Sequence, residues 1–237
     1  MSVKADLHIH SLLSPCGDIE MTPFNIVAKA LEKGLSVIGI TDHNSTLQCE
    51  EVVRIASREG LFVLCGAEIT TKEEVHVLAF VEGSDNLNKL QEYLNKHLPH
   101  VPNNPDVFGY QLVVNEKEEV LYQEENLLIS ALDQTIEEVE QFINSLNGIF
   151  IPAHIDKKQN SVMSQLGFMP PGLRADALEL SPGTDDHAFR TKNKYLSSFN
   201  LIHSSDAHYP EDIGRVFTDL PITDLSFDTV RSALKNN

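Results

Sequence analysis

Imidazoles and carboxylates recur in five short stretches of this chain: D-L-H-I-H (6–10), T-D-H-N (41–44), G-A-E-I-T (66–70) with V-H-V (75–77), P-A-H-I-D (152–156) and S-S-D-A-H (204–208). Imidazole nitrogens and carboxylate oxygens together form the mixed donor set of zinc, manganese and iron sites. The first stretch poses the question most directly. In a β-strand, residues two apart share a face. If Val3–His10 is a strand, Asp6, His8 and His10 point one way, and Ala5, Leu7 and Ile9 point the other. The apolar set reads as the buried face, so the polar set must face something that tolerates imidazoles. Taken alone, an H-x-H pair is equally an exposed strand face or two hydrogen-bonded histidines.

The elements that must carry these residues argue for a common site. Seven short segments rich in Val, Ile, Leu or Phe read as strands: Val3–His10, Ser36–Thr41, Phe62–Ile69, Val75–Val81, Gly148–His154, Ala175–Leu180 and Leu201–Ser205. Thr22 to Gly34 spells a helix, with a Thr cap, a first-turn Pro and a terminal Gly; further helices are expected over Leu47–Arg58, Leu87–His97 and Ile136–Leu146. Strand–helix alternation implies parallel strands with helices outside. Ile69 to Val75 leaves no room for a crossover helix, so the third and fourth strands should form an antiparallel hairpin. An insertion over about 100–130 contains an apparent small hairpin, Tyr110–Tyr122, turning at Asn115–Glu118; Val101–Gly109 and residues 156–174 read as loops. The expected fold class is α/β, a distorted (β/α)7 TIM-like barrel with a small inserted β-hairpin, as one domain over residues 1–237.

On this plan His8, His10, His43, Glu68, His154, Asp206 and His208 lie at or just beyond strand C-termini, and His76 begins the hairpin's return strand beside Glu68. Active sites of parallel α/β folds lie at that rim. Five separate segments delivering such residues to one rim argue for a metal site. His203 alternates onto the other face and reads as structural; His97 and His100 read as surface residues. The 237-residue chain is 41% apolar and 22% charged, without repeats or low-complexity runs, and nothing resembles a signal peptide or a membrane span, so a soluble cytoplasmic protein is expected. Three cysteines, Cys16, Cys49 and Cys65, fit reduced thiols. A formal charge of −17 opposes an extended nucleic-acid-binding surface.

D-L-H-I-H-S, I-T-D-H-N, G-A-E-I-T with V-H-V-L-A-F, P-A-H-I-D and S-S-D-A-H together resemble, in this order, the motifs of the PHP (polymerase and histidinol phosphatase) family of metal-dependent phosphoesterases, from residue 4 to about 215. The resemblance implies a distorted barrel holding two or three divalent ions. It implies one ion on His8, His10, Glu68 and Asp206, with Glu68 bridging to a second on His76 and His154, and a third on Asp18, His43 and His208. Asp18 is aligned by counting back from Pro23 through a longer run, S-P-C-G-D-I-E-M-T-P; Cys16 could also reach the third ion, but a plain loop thiol is the preferred reading. Asp6 and Asp42 are expected to support the ligating imidazoles or to cap strand ends.

Six neutral imidazoles and three carboxylates give this cage a charge of about −3 and three divalent ions add about +6, so the pocket suits a phosphate dianion despite the acidic chain. The donor set favours Zn, Mn or Fe over Mg or Ca. The expected chemistry is attack on a phosphate ester by a metal-activated hydroxide, with Glu68, Asp206 and His208 as the catalytic centre. Asn44, Lys157, Arg174, His187 and Arg190 are candidates for gripping substrate, as is Lys158. The expected substrate is a small phosphorylated molecule, a nucleotide or the 5′ end of a short oligonucleotide, turned over by a phosphatase, phosphodiesterase or 5′-3′ exonuclease, without membrane association. The alternatives are a histidinol-phosphate phosphatase, and a non-catalytic metal-binding module that supports a partner.

Overall fold

Val3–Ile9 (β1) is buried from Ala5 onward on both faces, as expected for a strand between a barrel interior and an outer helical layer. The computed structural model describes residues 2–235. Pro23–Glu32 (α1) follows, capped by the Thr22 side chain, which accepts from the Asn25 N–H. Val37–Ile40 (β2), Cys49–Ala56 (α2), Phe62–Thr70 (β3) and His76–Val81 (β4) come next. Helix α2 starts two residues later than the sequence predicts, after Gln48, whose side chain exchanges hydrogen bonds with the Val114 backbone, its amide donating to the carbonyl at 2.8 Å and accepting from the N–H at 2.9 Å.

Ser84–His97 (α3), the short Pro105–Phe108 (α4), Leu112–Val114 (β5) and Val120–Gln123 (β6) lead through the insertion to Ile136–Ser145 (α5) and Ile149–Pro152 (β7). The hairpin β5–β6 turns where the sequence predicts, at Asn115–Glu118, with Glu118 in the left-handed region. Val162–Leu166 (α6), Leu178–Leu180 (β8), Asp186–Lys192 (α7), Leu201–His203 (β9), Thr218–Leu220 (β10) and Phe227–Leu234 (α8) complete the chain. Three short elements interrupt or follow segments read as irregular. Asn104, Ser161 and Asp185 each cap one of them, α4, α6 and α7, through side-chain oxygens; such helices owe their existence to a cap more than to apolar periodicity.

The main sheet runs β10-β1-β2-β3-β4-β7, and β8 pairs with β9 in a separate parallel sheet. Strands β1, β2 and β3 are parallel; β4 is antiparallel to β3 and to β7, with Thr70 opposite His76. The result is a mixed α/β fold with a curled sheet that is open at the level of continuous ladders. Isolated hydrogen bonds bridge the gaps: Asp176 N–H to Phe150 O (2.9 Å) and Ile155 N–H to Glu179 O (2.9 Å) on one side, His10 N–H to Ala207 O (2.9 Å) and Ala207 N–H to His8 O (3.1 Å) on the other. Strand β1 therefore shares one edge between two partners: β10 takes Val3–Ala5, and the segment around Ala207 takes His8–His10. Strand β10, with only the sequence T-D-L, carries too little apolar pattern to be read as a strand.

Two apolar layers follow. Ala5, Leu7, Leu64, Leu78, Phe80 and Ile151 fill the space the sheet curls around, with Phe227 and Val230 of α8 in the same cluster; Ile9, Ile40, Ala67 and Ile69 pack in a second layer with residues of α1, α2, α3 and α5. Strict alternation along β1 fails here. The pairing with β2 shifts register between Asp6 and Ile9, and Leu7 and Ile9 end in different layers. A bulge of this kind re-aims side chains, and it separates Asp6 from the histidines it was expected to accompany. Gly66 has no room for a side chain: an added Cβ would lie 1.9 Å from Ala79 O and 2.7 Å from the Phe80 ring.

Candidate metal centre

Glu68 is placed two residues before the end of β3 and is 1% exposed. Five imidazoles surround its carboxylate: His76 Nδ1 at 2.8 Å, His154 Nε2 and His43 Nδ1 at 3.1 Å, His8 Nε2 at 3.3 Å and His10 Nε2 at 3.4 Å. Asp206 closes the cluster, its Oδ1 lying 3.3 Å from His8 and 3.6 Å from His10, and the His208 ring stacks on His10 with centroids 4.3 Å apart. The antiparallel turn from β3 to β4 is what brings His76 to Glu68. His154, Asp206 and Asn44 all adopt positive φ angles, of 29°, 52° and 45°. Non-glycine residues held there sit in strained backbone, a feature that concentrates at functional sites.

The rings are oriented from behind. His8 Nδ1 lies 3.0 Å from Glu179 Oε2, and His10 Nδ1 lies 3.0 Å from Ser14 Oγ, which itself donates to Asp42. Both arrangements put the N–H on Nδ1 and leave Nε2 facing the cluster, where the two Nε2 atoms are 3.1 Å apart. Lone pairs at that separation require a proton or a cation between them. The electrostatics agree. Burial opposes charge on His8, yet Glu179, Asp206 and Glu68 hold its pKa well above the ordinary range. Burial likewise opposes charge on Glu68, but the surrounding imidazoles, His76 and His8 foremost, hold its pKa well below the carboxylate range. Burial, reinforced by His10, lowers His208 to about 4, so this ring is neutral at pH 7. His154 Nδ1 is buried without a hydrogen-bond partner, and the equally buried His43 Nδ1 approaches Glu68 Oε2 at 3.1 Å without forming a hydrogen bond. Three overlapping groups have donor atoms within 4.8 Å of one another: His8–His10–Glu68, His43–Glu68–His76 and His10–Cys16–His43–His208. The donor chemistry fits divalent ions of the zinc, manganese and iron type.

Of the residues expected to bind metal, eight converge here: His8, His10, His43, Glu68, His76, His154, Asp206 and His208. Asp18 does not. Its carboxylate accepts from the Glu20 N–H at 2.9 Å and faces a surface hollow shared with Asn25 and Tyr209. Cys16, read as a plain loop thiol, stands among the imidazoles instead. Cys16 is exposed as a residue at the cavity mouth, yet desolvation of its sulfur and the carboxylates of Glu68 and Asp42 push its thiol pKa up. Asp42 reaches the His10 ring through Ser14. Asp6 acts elsewhere: it accepts from Ser205 N–H, Ser205 Oγ and Gly214 N–H, fixing the segment that carries Asp206 and His208.

The substrate candidates divide similarly. A cavity of about 530 Å³ opens over the cluster, and Lys157 lines it with Nζ donating to Asp206 Oδ2. Arg174 precedes β8 and so lies toward the wrong end of the strand, paired with Glu140. Arg190 is in the last turn of α7 and donates to Phe199 O. His187 is exposed on α7 and is not among the cavity-lining residues. Asn44 is buried with its amide fully engaged, donating to Leu128 O and Ser130 O and accepting from Thr70 N–H. It holds the end of the insertion to β3. Asn44→Ala is therefore expected to cost about 2–3 kcal/mol through unpaired buried groups and backbone strain, measured by denaturant unfolding, with KM unchanged; a raised KM at unchanged stability would return Asn44 to the substrate.

Sequence reading missed Glu179, which is 2% exposed and also accepts from the His154 N–H at 3.0 Å. One carboxylate thus holds both the His8 ring and the His154 backbone. Its only sequence signal is an acid inside an otherwise apolar strand, L-E-L. Glu179→Gln is expected to weaken metal affinity about 10–100-fold, read by competition with a zinc chelator; unchanged affinity would reduce its part to anchoring the backbone of His154. Asn160, whose amide lies 3.1 Å from His76 Nε2, was also missed.

A family model described as "PHP domain" matches residues 6–156, and one described as "PHP-associated" matches residues 198–237. An uncharacterized protein of Methanocaldococcus jannaschii is 38% identical over 79 residues, covering 30% of this chain and 46% of that one. The 5′-3′ exoribonuclease of Haemophilus influenzae is 31% identical over 81 residues, covering 33% of this chain and 28% of its own. The lesion-specific endonuclease Q of Pyrococcus furiosus shares the fold, with a TM-score of 0.77 at 23% identity, across 99% of this chain and 56% of the endonuclease. The chain thus spans about half the length, or less, of these three proteins. The motifs that build the cluster from His8 to His154 all fall within the first matched region, which covers well over half of the sequence, and on that ground the chain belongs to the PHP domain family.

Proposed function

We propose that this protein is a metal-dependent phosphoester hydrolase acting on a nucleotide or on the 5′ end of a short oligonucleotide. The observation that carries the reading is a buried carboxylate, Glu68, ringed by five imidazoles within 3.4 Å at the base of an open cavity. His8, His10, Glu68 and Asp206 would hold one ion, and His76 and His154 with Glu68 a second. The seven strands β1, β2, β3, β4, β7, β8 and β9, taken with their bridging hydrogen bonds, support reading the sheet as the distorted (β/α)7 barrel that carries such sites.

Bound divalent ions supply Lewis acidity, acidifying water and absorbing charge that builds on phosphoryl oxygens. The protein's own groups do the rest. Glu68 and Asp206 stay ionised at neutral pH, the imidazoles holding both pKa values below the carboxylate range against the effect of burial. His208 stays neutral and has a lone pair to offer. Lys157 brings the one cationic side chain lining the cavity, among the described residues, next to Asp206, where it can pair with a phosphate oxygen. Ile129, Ala131, Gln159 and Asn160 line one part of the wall, apolar and amide groups suited to an uncharged portion of the substrate, and Thr70 and the acid Glu74 line another. Free thiols at all three cysteines favour a reducing compartment, the cytoplasm, for this reaction.

Nucleic-acid chemistry is preferred among phosphoesters because one relative is a 5′-3′ exoribonuclease, and because endonuclease Q has been captured with a 27-mer duplex carrying an abasic lesion at its active site. The test is a substrate panel with Mn²⁺- or Zn²⁺-loaded protein: nucleoside monophosphates, 5′-phosphorylated oligonucleotides, an abasic duplex and histidinol phosphate. Release of mononucleotides or phosphate from the 5′ end is expected. Turnover of histidinol phosphate alone would replace the substrate, and a folded, metal-loaded protein that hydrolyses none would mark a non-catalytic module.

A further inference from the structure

We propose that the thiolate of Cys16 is a metal ligand, joining His43 and His208 at a third ion position that borders His10. The inference rests on the metal-centre reading above and deepens it, since it replaces an expected oxygen donor by sulfur. Four donor atoms, one each from His10, Cys16, His43 and His208, lie within 4.8 Å of one another. Zinc bonds of about 2.0–2.3 Å put tetrahedral donors some 3.4–3.8 Å apart, so small side-chain rotations bring this group into a common shell. A second observation points the same way: His43 is 6% exposed and lines the cavity, and its buried Nδ1, although 3.1 Å from Glu68 Oε2, forms no hydrogen bond. Asp18, the acid expected at this position, faces the neighbouring surface hollow.

The local chain explains the exchange. Ser14 N–H donates to Ser11 O, Gly17 N–H donates to Ser14 O, and Asp18 N–H donates to His208 O. A side chain at Gly17 would meet Ser11 O at 2.2 Å. The turn S-P-C-G is therefore held tightly and ends beside His208, with Cys16 on its cavity side. A nucleophilic role fits less well, because an activated cysteine needs one adjacent base, and here three imidazoles converge on the sulfur. Binding exchanges the S–H bond for a metal–sulfur bond, with the proton released to solvent.

The consequence is selectivity within one cluster. A thiolate with imidazoles favours Zn²⁺ or Co²⁺ over Mn²⁺ or Mg²⁺, whereas Glu68 and Asp206 give the other positions harder oxygen donors. The test uses chelator-stripped full-length protein reloaded with Co²⁺. A near-ultraviolet thiolate-to-cobalt charge-transfer band is expected, together with loss of that band and of one metal per chain in Cys16→Ser. Cys16→Asp should restore the metal count without the band. In the unaltered protein, Zn²⁺ should protect Cys16 from alkylation, read on its peptide by mass spectrometry, whereas Mn²⁺ should not. A cobalt spectrum that is the same in Cys16→Ser, or alkylation of Cys16 undiminished by Zn²⁺, would overturn the assignment. Hydrolysis of phosphoesters by a protein lacking the band would refute the ligand while leaving the hydrolase reading intact, and a band in a protein without hydrolytic activity would do the reverse.

Discussion

Replacing Glu68 by glutamine is expected to lower kcat/KM about 1,000-fold or more and to strip the protein of metal, because in the proposed site the side chain would be both a metal donor and the anion that balances the surrounding imidazoles. The amide keeps the volume but removes the charge, and its NH2 end would face ring nitrogens that now find an oxygen. The change also predicts a pH signature in metal-free protein. Glu68 has a folded pKa depressed from 4.5, so it contributes stability above about pH 4.5 that disappears as the pH falls through its lower folded value. His8 has a folded pKa raised from 6.5; its contribution is complete below about pH 6.5 and is lost as the pH rises through the raised value. Unfolding midpoints across this range should therefore form a plateau between the two limits, and Glu68→Gln should lower it. A variant that keeps its metal and its rate would remove Glu68 from the centre.

His154→Ala is expected to leave the fold intact while removing one ion per chain and lowering activity about 100-fold. The ring is 3% exposed and approaches Glu68 through Nε2. Its backbone, by contrast, is held by Glu179 through an N–H that survives the substitution, so the strand end should keep its shape. Elemental analysis and circular dichroism separate the possibilities: an unchanged metal count and rate would discard His154 as a ligand, and collapse of the fold would make its role structural.

Sequence alone revealed the rim because strand ends are written in two concurrent signals, an apolar run and the polar residue that terminates it. His43, Glu68, His154 and Asp206 each follow such a run. The hairpin that places His76 beside Glu68 was legible for a steric reason, the shortness of its connection. What remained hidden depends on loops and on three-dimensional direction. Counting back from Pro23 selected Asp18, but the tight turn before Gly17 sets Cys16 at the cavity mouth beside the imidazoles and leaves Asp18 at the surface hollow. Proximity in sequence to β8 suggested Arg174 and Arg190, yet one precedes the strand and the other lies a helix beyond it. Glu179 was overlooked because it lies within an apolar strand rather than after its end, and nothing in L-E-L tells that both faces of the strand are covered. Alternation also misplaced Asp6, since a register shift in β1 is invisible in composition.

The shared edge of β1 has a bearing on how the molecule is made. Asp6 reaches Ser205, 199 positions away, and Gly214, 208 positions away, and with the backbone bonds of Ala207 to His8 and His10 it fixes the segment that carries Asp206 and His208. Contacts this distant along a chain form late and slowly. A nascent polypeptide emerging from the ribosome thus carries His8 and His10 long before the rest of the cluster, and the proposed capture of ions by the full donor set would await synthesis at least as far as Gly214.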